Sequence, residues 1–190
     1  MKRISVSKWS EAKTWTTNVA ARLMFAGLVT IAAMVHAGED ARSPELPLPL
    51  CEDIEPPAGH RVSFRAYAIG VQIYVWSGTE WVFKAPEAVL YAEPNLQGEI
   101  GIHYAGPRWE ANDGSVVAGS SPVRCFPDET AIPWLRLNAT PLSSHGLFSG
   151  VTYIQRVNTT GGLAPAFAGS AIGEEARISY TAEYYFYRAN

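Results

Sequence analysis

The chain has 190 residues, of which 47% are hydrophobic and 17% are charged, and its formal net charge is −3. This length and composition are those of a globular protein and suffice for one domain with a sizeable core. The first 37 residues contain five of the 15 basic and one of the 18 acidic side chains, which leaves 10 against 17 in residues 38–190. An acidic domain without a basic cluster disfavours nucleic acid and anionic membrane surfaces as partners.

The N-terminal segment, residues 1–37, predicts a secretory signal peptide. Its five basic residues precede an apolar run over residues 23–35, and it ends in Val35-His36-Ala37. A basic start, a short apolar stretch and small residues before the cleavage position are typical of such peptides. The run is shorter than the roughly 20 apolar residues of a membrane span. We expect cleavage after Ala37 and a secreted, periplasmic or cell-surface chain without a membrane span; a signal retained as an anchor is the alternative.

Residues 38–60 predict an extended N-terminal arm. Five of them are prolines, which exclude a helix and favour extended or turn backbone. The arm contains Cys51, one of the two cysteines of the chain; the other, Cys125, lies 74 positions further on. An even pair of cysteines in an exported chain most often forms a disulfide. We therefore predict that Cys51 and Cys125 are paired.

From residue 61 to residue 190, the sequence predicts a β-domain. Hydrophobic and polar residues alternate with a period of two, most clearly over residues 61–68, 71–76 and 177–186, and turn signals separate these segments. Such alternation, rich in β-branched and aromatic residues, indicates half-buried antiparallel strands. Roughly eight to ten short strands predict an all-β fold, either a single antiparallel β-sandwich or a closed β-barrel.

Residues 101–115 concentrate more groups capable of chemistry than any other segment. His103 and Glu110 are candidate catalytic residues, because an imidazole and a carboxylate can exchange protons with a substrate. A hydrogen-bonded structural histidine is the alternative for His103. Asp113 is the third candidate, but Asp113-Gly114 is a strong two-residue hairpin signal, which favours a turn residue over a general base.

The same segment contains three candidate ligand-binding residues, Arg108, Trp109 and Ser115. Trp109 is a candidate stacking platform for a sugar or an aromatic ligand, although most tryptophans in β-domains fill the core. Hairpin pairing is expected to bring Ser115 alongside residues near Glu110. We expect Arg108, Trp109 and Glu110 to line one rim of the β-domain. His103 belongs to the same rim, and we expect it to be partly accessible to solvent.

The sequence contains no metal or cofactor motif. The histidines at positions 60, 103 and 145 lack the close spacing of zinc-binding pairs and have no nearby cysteines. A copper or zinc site assembled from distant strands stays open, since such ligands meet only in space. Asn138 and Asn158 each begin a glycosylation pattern, which matters only in a eukaryotic secretory host.

Six motifs in a fixed order resemble one protein family. They are WVFKAPEAVL (81–90), GIHYAGPRWEANDGS (101–115), IPWL (132–135), IQRVNT (154–159), GGLAP (161–165) and YTAEYYFY (180–187). The chain resembles the exported bacterial and fungal proteins catalogued as domain of unknown function three-four-five-five, a family without an established activity. Some fungal relatives carry a malate dehydrogenase label. That label has no support here, because the chain lacks the strand–GxGxxG–helix unit that holds a dinucleotide.

The resemblance also implies a contact at one edge of the domain. Many relatives have cysteines at the positions of Trp76 and Ser170. If those cysteines form a bridge, Trp76 and Ser170 are expected to be neighbours in this chain.

Three classes of function remain open. One is a small extracellular binding module for a carbohydrate or another small ligand, and a second is an envelope-associated structural module. The third is a hydrolase or metal-assisted enzyme that uses His103 and Glu110. The sequence favours the first two, because no single segment contains a complete set of acid, base and nucleophile.

Overall fold

The computed structural model of the protein describes residues 42–190, and the predicted signal peptide lies outside these residues. Within them are one short 3-10 helix, Glu52–Ile54, and eight β-strands. The strands are β1 (His60–Trp76), β2 (Trp81–Tyr91), β3 (Glu99–Tyr104), β4 (Arg108–Ala111), β5 (Val116–Cys125), β6 (Trp134–Pro141), β7 (Val151–Gly161) and β8 (Glu175–Ala189). None of the helical structure in residues 42–190 has the length and hydrophobicity to cross a membrane.

The eight strands form a closed antiparallel barrel. Each strand pairs with the next along the chain, and β8 returns to pair with β1. This last pairing runs from His60 opposite Ala189 to Val75 opposite Glu175, so the first and last strands join along almost their whole length. The predicted all-β fold is confirmed, and of its two alternatives the closed barrel is the one that forms. Each of these eight strands therefore has a neighbour on both sides, so the barrel has no edge strand.

The alternating strand directions divide the loops between two ends of the barrel. The β2–β3, β4–β5 and β6–β7 loops lie at one end, where aromatic side chains fill the interior. Phe64 stacks on Phe186 with ring centroids 4.4 Å apart, and Phe148 lies 5.0 Å from Phe186. Phe148 and Phe186 are fully buried. We call this the packed end, and we call the opposite end, which carries the other four strand connections, the open end.

The N-terminal arm packs against the outer wall of the barrel. Cys51 and Ile54 are fully buried there, in a hydrophobic cluster shared with residues of β5, β7 and β8. The side-chain amide of Gln155 on β7 donates a hydrogen bond of 2.9 Å to the Ile54 carbonyl. Cys51 forms a disulfide with Cys125, with Cα atoms 5.3 Å apart, which confirms the predicted pairing. The arm therefore buries the outer face of β7 and β8.

At the open end, Trp76 contacts the connection between β7 and β8. The indole lies so close to Gly169 that a Cβ atom there would be 2.5 Å from its Cγ atom. The Trp76 backbone N–H donates to the carbonyl of Glu174 at 2.9 Å. Trp76 thus contacts the residue before Ser170, while a disulfide between these positions in relatives stays a prediction.

Candidate functional site

The register of β3 against β4 separates the predicted site residues onto two faces of the barrel wall. His103 lies opposite Trp109, and both side chains are buried inside the barrel, with 3% and 1% of their surface exposed. Arg108 and Glu110 directly precede and follow Trp109 on β4 and face outward. The prediction that all four residues line one rim is therefore wrong, because neighbouring residues on a strand point to opposite faces.

His103 is a buried, neutral histidine. Its ring stacks on Trp109 with centroids 4.1 Å apart and planes 9° from parallel, and the ring of Tyr184 approaches edge-on. Nδ1 lies 2.8 Å from the Arg108 carbonyl, which can only accept a hydrogen bond, so Nδ1 carries the proton. Burial lowers the pKa of His103 to about 3, although the bond to Arg108 acts in the opposite direction. The predicted solvent accessibility of His103 is therefore wrong.

Gly101, two residues before His103, does not leave room for a ligand. A Cβ atom at position 101 would lie 2.1 Å from the backbone carbonyl oxygen of Glu110. The missing side chain thus allows β3 and β4 to approach each other closely. Position 101 itself therefore offers no space for a ligand.

Glu110 does not form a site with His103. Its carboxylate accepts a hydrogen bond of 2.9 Å from the Tyr104 hydroxyl on the outer face of β3 and β4. The imidazole of His103 points into the barrel on the other side of the same wall. The proposed acid–base pair therefore has no common substrate position, and the geometry for a hydrolase centred on these two residues is not formed.

Asp113 and Ser115 are structural residues at the packed end. Asp113 accepts hydrogen bonds from the backbone and the hydroxyl of Ser115 at 2.8 and 2.6 Å, and from the Leu147 backbone at 2.7 Å. The Ser115 hydroxyl oxygen accepts from the Phe148 backbone at 3.1 Å. These bonds hold the β6–β7 loop that inserts Phe148 into the barrel. The favoured turn role of Asp113 is confirmed, whereas Ser115, 2% exposed, is unsuited to ligand binding.

The open end contains a cavity that the sequence did not indicate. Its volume is about 470 Å³, and it extends from solvent-exposed residues such as Lys84 and Ser120 inward to Trp109. We call it the mouth cavity. Its walls combine apolar, aromatic and basic groups without a single carboxylate. The lining residues that matter most are Gln72, Phe83, Trp109, Leu135, Arg156 and Tyr184.

Two buried polar residues of the mouth cavity, Gln72 and Arg156, were absent from the predicted site. Gln72 is 3% and Arg156 8% exposed, and Arg156 lies on β7 opposite Tyr184. One guanidinium N–H of Arg156 donates to the Pro133 carbonyl at 2.8 Å. The sequence did contain one indication of Arg156. It follows Ile154 by two positions and so shares a strand face with a hydrophobic residue, which is an unusual place for arginine.

The ionisable groups around the mouth cavity give it a positive charge. Burial raises the pKa of Tyr74, whose hydroxyl donates to the Gly162 carbonyl at 2.7 Å, and Arg156 partly offsets this rise. Burial also raises the pKa of Tyr180, further inside the barrel. Both phenols are neutral at physiological pH, as is His103, while the guanidinium of Arg156 is always charged. Nowhere in residues 42–190 do three or more His, Cys, Asp or Glu side chains form a group that could hold a metal ion.

The sequence of this barrel matches a known protein family. A family described as "Protein of unknown function (DUF3455)" matches residues 57–188. The chain belongs to the DUF3455 family. The resemblance found in the six sequence motifs is thus confirmed. The DUF3455 match covers β1 to β7 completely and β8 up to its penultimate residue, but it begins after Cys51. No curated protein and no solved structure matches the chain.

Proposed function

We propose that this DUF3455 protein is an exported binding module that holds one small, largely apolar ligand in the mouth cavity. The observation that carries this proposal is the asymmetry of the barrel interior. Side chains fill the packed end, whereas the open end retains a cavity of about 470 Å³. Eight-stranded barrels are wide enough either to be filled by side chains or to hold one small ligand, and a largely apolar cavity with a few polar groups is the usual form of a ligand site.

Small residues help to keep this cavity open. Gly119 on β5 lies beside the indole of Trp109, and a Cβ atom there would be 3.0 Å from the indole ring. Next to it, Ser120 lines the cavity at its exposed margin. A larger residue at position 119 would occupy the space beside Trp109, so the glycine favours a cavity over a filled core.

An exported location supports a binding role outside the cytoplasm. The Cys51–Cys125 disulfide is typical of an oxidising compartment, and the predicted signal peptide accounts for delivery there. The final destination in this proposal is secreted, periplasmic or cell-surface.

Among the small ligands considered, an apolar body suits the site better than a carbohydrate does. Sugars stack on exposed faces of aromatic rings, but Trp109 is 1% exposed and one of its faces is covered by His103. The apolar walls at Phe83 and Leu135 instead offer a surface for hydrophobic contact. A purely structural role in the envelope is the alternative that the following experiment tests.

The test uses N-phenyl-1-naphthylamine, a neutral dye that fluoresces in apolar surroundings, titrated into the purified disulfide-bonded protein. We expect saturable binding of one dye per chain. Leu135→Trp combined with Arg124→Trp, at cavity-lining positions that lie opposite each other on β6 and β5, places two indoles in the mouth cavity and is expected to abolish binding of the neutral dye. The matched control adds two indoles at exposed positions outside it, Val82→Trp and Leu142→Trp, and is expected to bind normally.

Circular dichroism and thermal unfolding establish that both double variants are folded. Absence of saturable binding to the unmodified protein would favour the structural role. Equal binding by the two double variants would place the dye outside the mouth cavity and contradict the proposed function.

A further inference from the structure

We propose that the ligand of the mouth cavity is a monocarboxylate with an apolar body, and that Arg156 binds its carboxylate. This inference rests on the proposed function, because it names the chemical class of ligand for the same cavity. It is carried by the buried polar atoms of the cavity and by the distribution of charge around them.

The mouth cavity is lined by hydrogen-bond donors that lack acceptors. In the part of the chain that the structure describes, four buried side-chain nitrogen atoms have no hydrogen-bond partner: Gln72 Nε2, Trp109 Nε1, Arg156 Nε and Arg188 Nε. The first three belong to residues that line the mouth cavity. Each of these nitrogen atoms carries hydrogen, so the partner that all three lack is an acceptor. Buried polar groups are nearly always paired in folded proteins, so three orphaned donors around one cavity point to a ligand rich in acceptor atoms.

The unpaired positive charge of Arg156 also points to an anionic ligand. Arg156 is 8% exposed, and its hydrogen bond to the neutral Pro133 carbonyl leaves its charge uncompensated. None of the ion pairs formed within residues 42–190 includes Arg156, and the cavity lining contains no aspartate or glutamate. A buried charge normally has an opposite charge beside it. An anionic ligand would supply that charge.

The amount of charge favours a monoanion. Arg156 is the buried cation of the mouth cavity, while the other two cations of its lining, Lys84 and Arg124, are exposed, and Lys84 is already paired with Glu175. Gln72 and Trp109 contribute neutral donors. A carboxylate has one negative charge and two oxygen atoms that together accept several hydrogen bonds, which matches one guanidinium and two neutral N–H groups.

The groups around Arg156 do not already supply a negative charge. Burial raises the pKa values of Tyr74 and Tyr180, so both hydroxyls keep their protons. His103 is neutral, since burial lowers its pKa to about 3. Most of the other lining residues, including Phe83, Ile132 and Leu137, are apolar and suit an apolar ligand body.

The experiment measures displacement of N-phenyl-1-naphthylamine by matched acids and alcohols. 1-Naphthoate is compared with 1-naphthylmethanol, and decanoate with 1-decanol, so that each pair differs in the charged group. We expect the better-fitting acid to bind at least about tenfold more tightly than its alcohol. Preference for the naphthyl pair assigns an aromatic acid, and preference for the decyl pair assigns an acyl chain.

Arg156→Met tests the assignment of the carboxylate site. This variant is expected to bind acid and alcohol equally, because the group that distinguishes them has been removed. Arg188→Met is the matched control, because Arg188 also has an unpaired buried Nε and donates to a backbone carbonyl, but at the packed end. It is expected to retain the preference for the acid. Arg156→Lys, which keeps the charge, is expected to retain part of it.

The outcomes separate the two proposals. A wild-type protein that binds the dye but shows no preference for either acid would overturn the carboxylate inference and leave the proposed function standing. A preference that survives in Arg156→Met would overturn the assignment to Arg156. Failure of the wild-type protein to bind the dye at all would overturn the proposed function itself.

Discussion

The two ends of this barrel are built from the same eight strands, yet side chains fill the interior at one end and a cavity remains at the other. At the packed end, Asp113 and Ser115 are satisfied by each other and by the backbone of the β6–β7 loop, and Phe148 fills the space between the strands. At the open end, Gln72 and Arg156 line the cavity, and Gln72 Nε2 and Arg156 Nε have no hydrogen-bond partner. The packed end is thus expected to stabilise the fold, while the open end is the one to which the proposed function assigns a ligand.

The largest expected effect comes from Phe148, the side chain that the β6–β7 loop inserts into the packed end. Phe148→Ala removes a fully buried ring and is expected to lower the free energy of unfolding by about 3–5 kcal/mol. Phe83→Ala, at the open end, removes a ring that is 51% exposed and is expected to cost less than about 1 kcal/mol. Urea unfolding of both variants makes the comparison. Equal losses would show that the two ends contribute equally to stability.

The disulfide is expected to have the next largest effect. Replacing Cys51 and Cys125 together by alanine releases a loop of 74 residues and is expected to reduce the free energy of unfolding by about 4 kcal/mol. Urea unfolding of the double variant, compared with the oxidised parent, measures this loss. A variant as stable as the parent would show that the burial of Ile54 alone holds the arm in place.

His103 gives the stability of the fold a pH dependence. Because burial lowers its pKa in the folded state to about 3, the unfolded chain binds more protons between that value and about 6.5. Stability is therefore expected to fall as the pH is lowered through this range, by up to about 1.4 kcal/mol per pH unit. Urea unfolding at pH 7, 6, 5 and 4 measures the slope.

His103→Gln is the control for this slope. The glutamine amide can still donate to the Arg108 carbonyl, but it does not titrate. The variant is expected to show a smaller loss of stability between pH 7 and pH 4. An unchanged slope would assign the pH dependence to other groups.

Asp113 is expected to stabilise the fold because its carboxylate joins the β4–β5 turn to the β6–β7 loop. Asp113→Asn weakens the acceptor that joins the β4–β5 turn to Leu147 and is expected to lower the melting temperature. Asp128→Asn is the control, since Asp128 also accepts two hydrogen bonds, but both come from Thr130 in its own turn. Differential scanning calorimetry is expected to show the larger decrease for Asp113→Asn. A larger decrease for Asp128→Asn would contradict the role of Asp113 in holding the β6–β7 loop.

The smallest expected effect on stability is at the open end. Arg156→Met loses one hydrogen bond but also removes a buried charge without a counterion, and these effects oppose each other. The free energy of unfolding is expected to change by less than about 1 kcal/mol, as measured in urea. A large loss would show that Arg156 supports the fold, and the contrast between the two ends would disappear.

The sequence by itself determined the class of fold and the covalent link. Alternation with a period of two is a local property of the chain, and it indicated antiparallel strands from residue 61 onward. The pairing of Cys51 with Cys125 followed from there being two cysteines in a chain predicted to be exported. The turn role favoured for Asp113 also followed from a local signal, the Asp113-Gly114 dipeptide.

Tertiary structure decided which face of each strand points inward, and therefore where the site lies. Alternation shows that the two faces of a strand differ, but on β7 and β8 both faces are buried, one inside the barrel and one under the arm. Arg156 and Gln155 are both buried neighbours, and only the register that pairs β8 with β1 and β7 turns Arg156 towards the cavity. Pairing between strands more than 100 residues apart depends on the whole closed sheet, so no short segment of sequence could specify it.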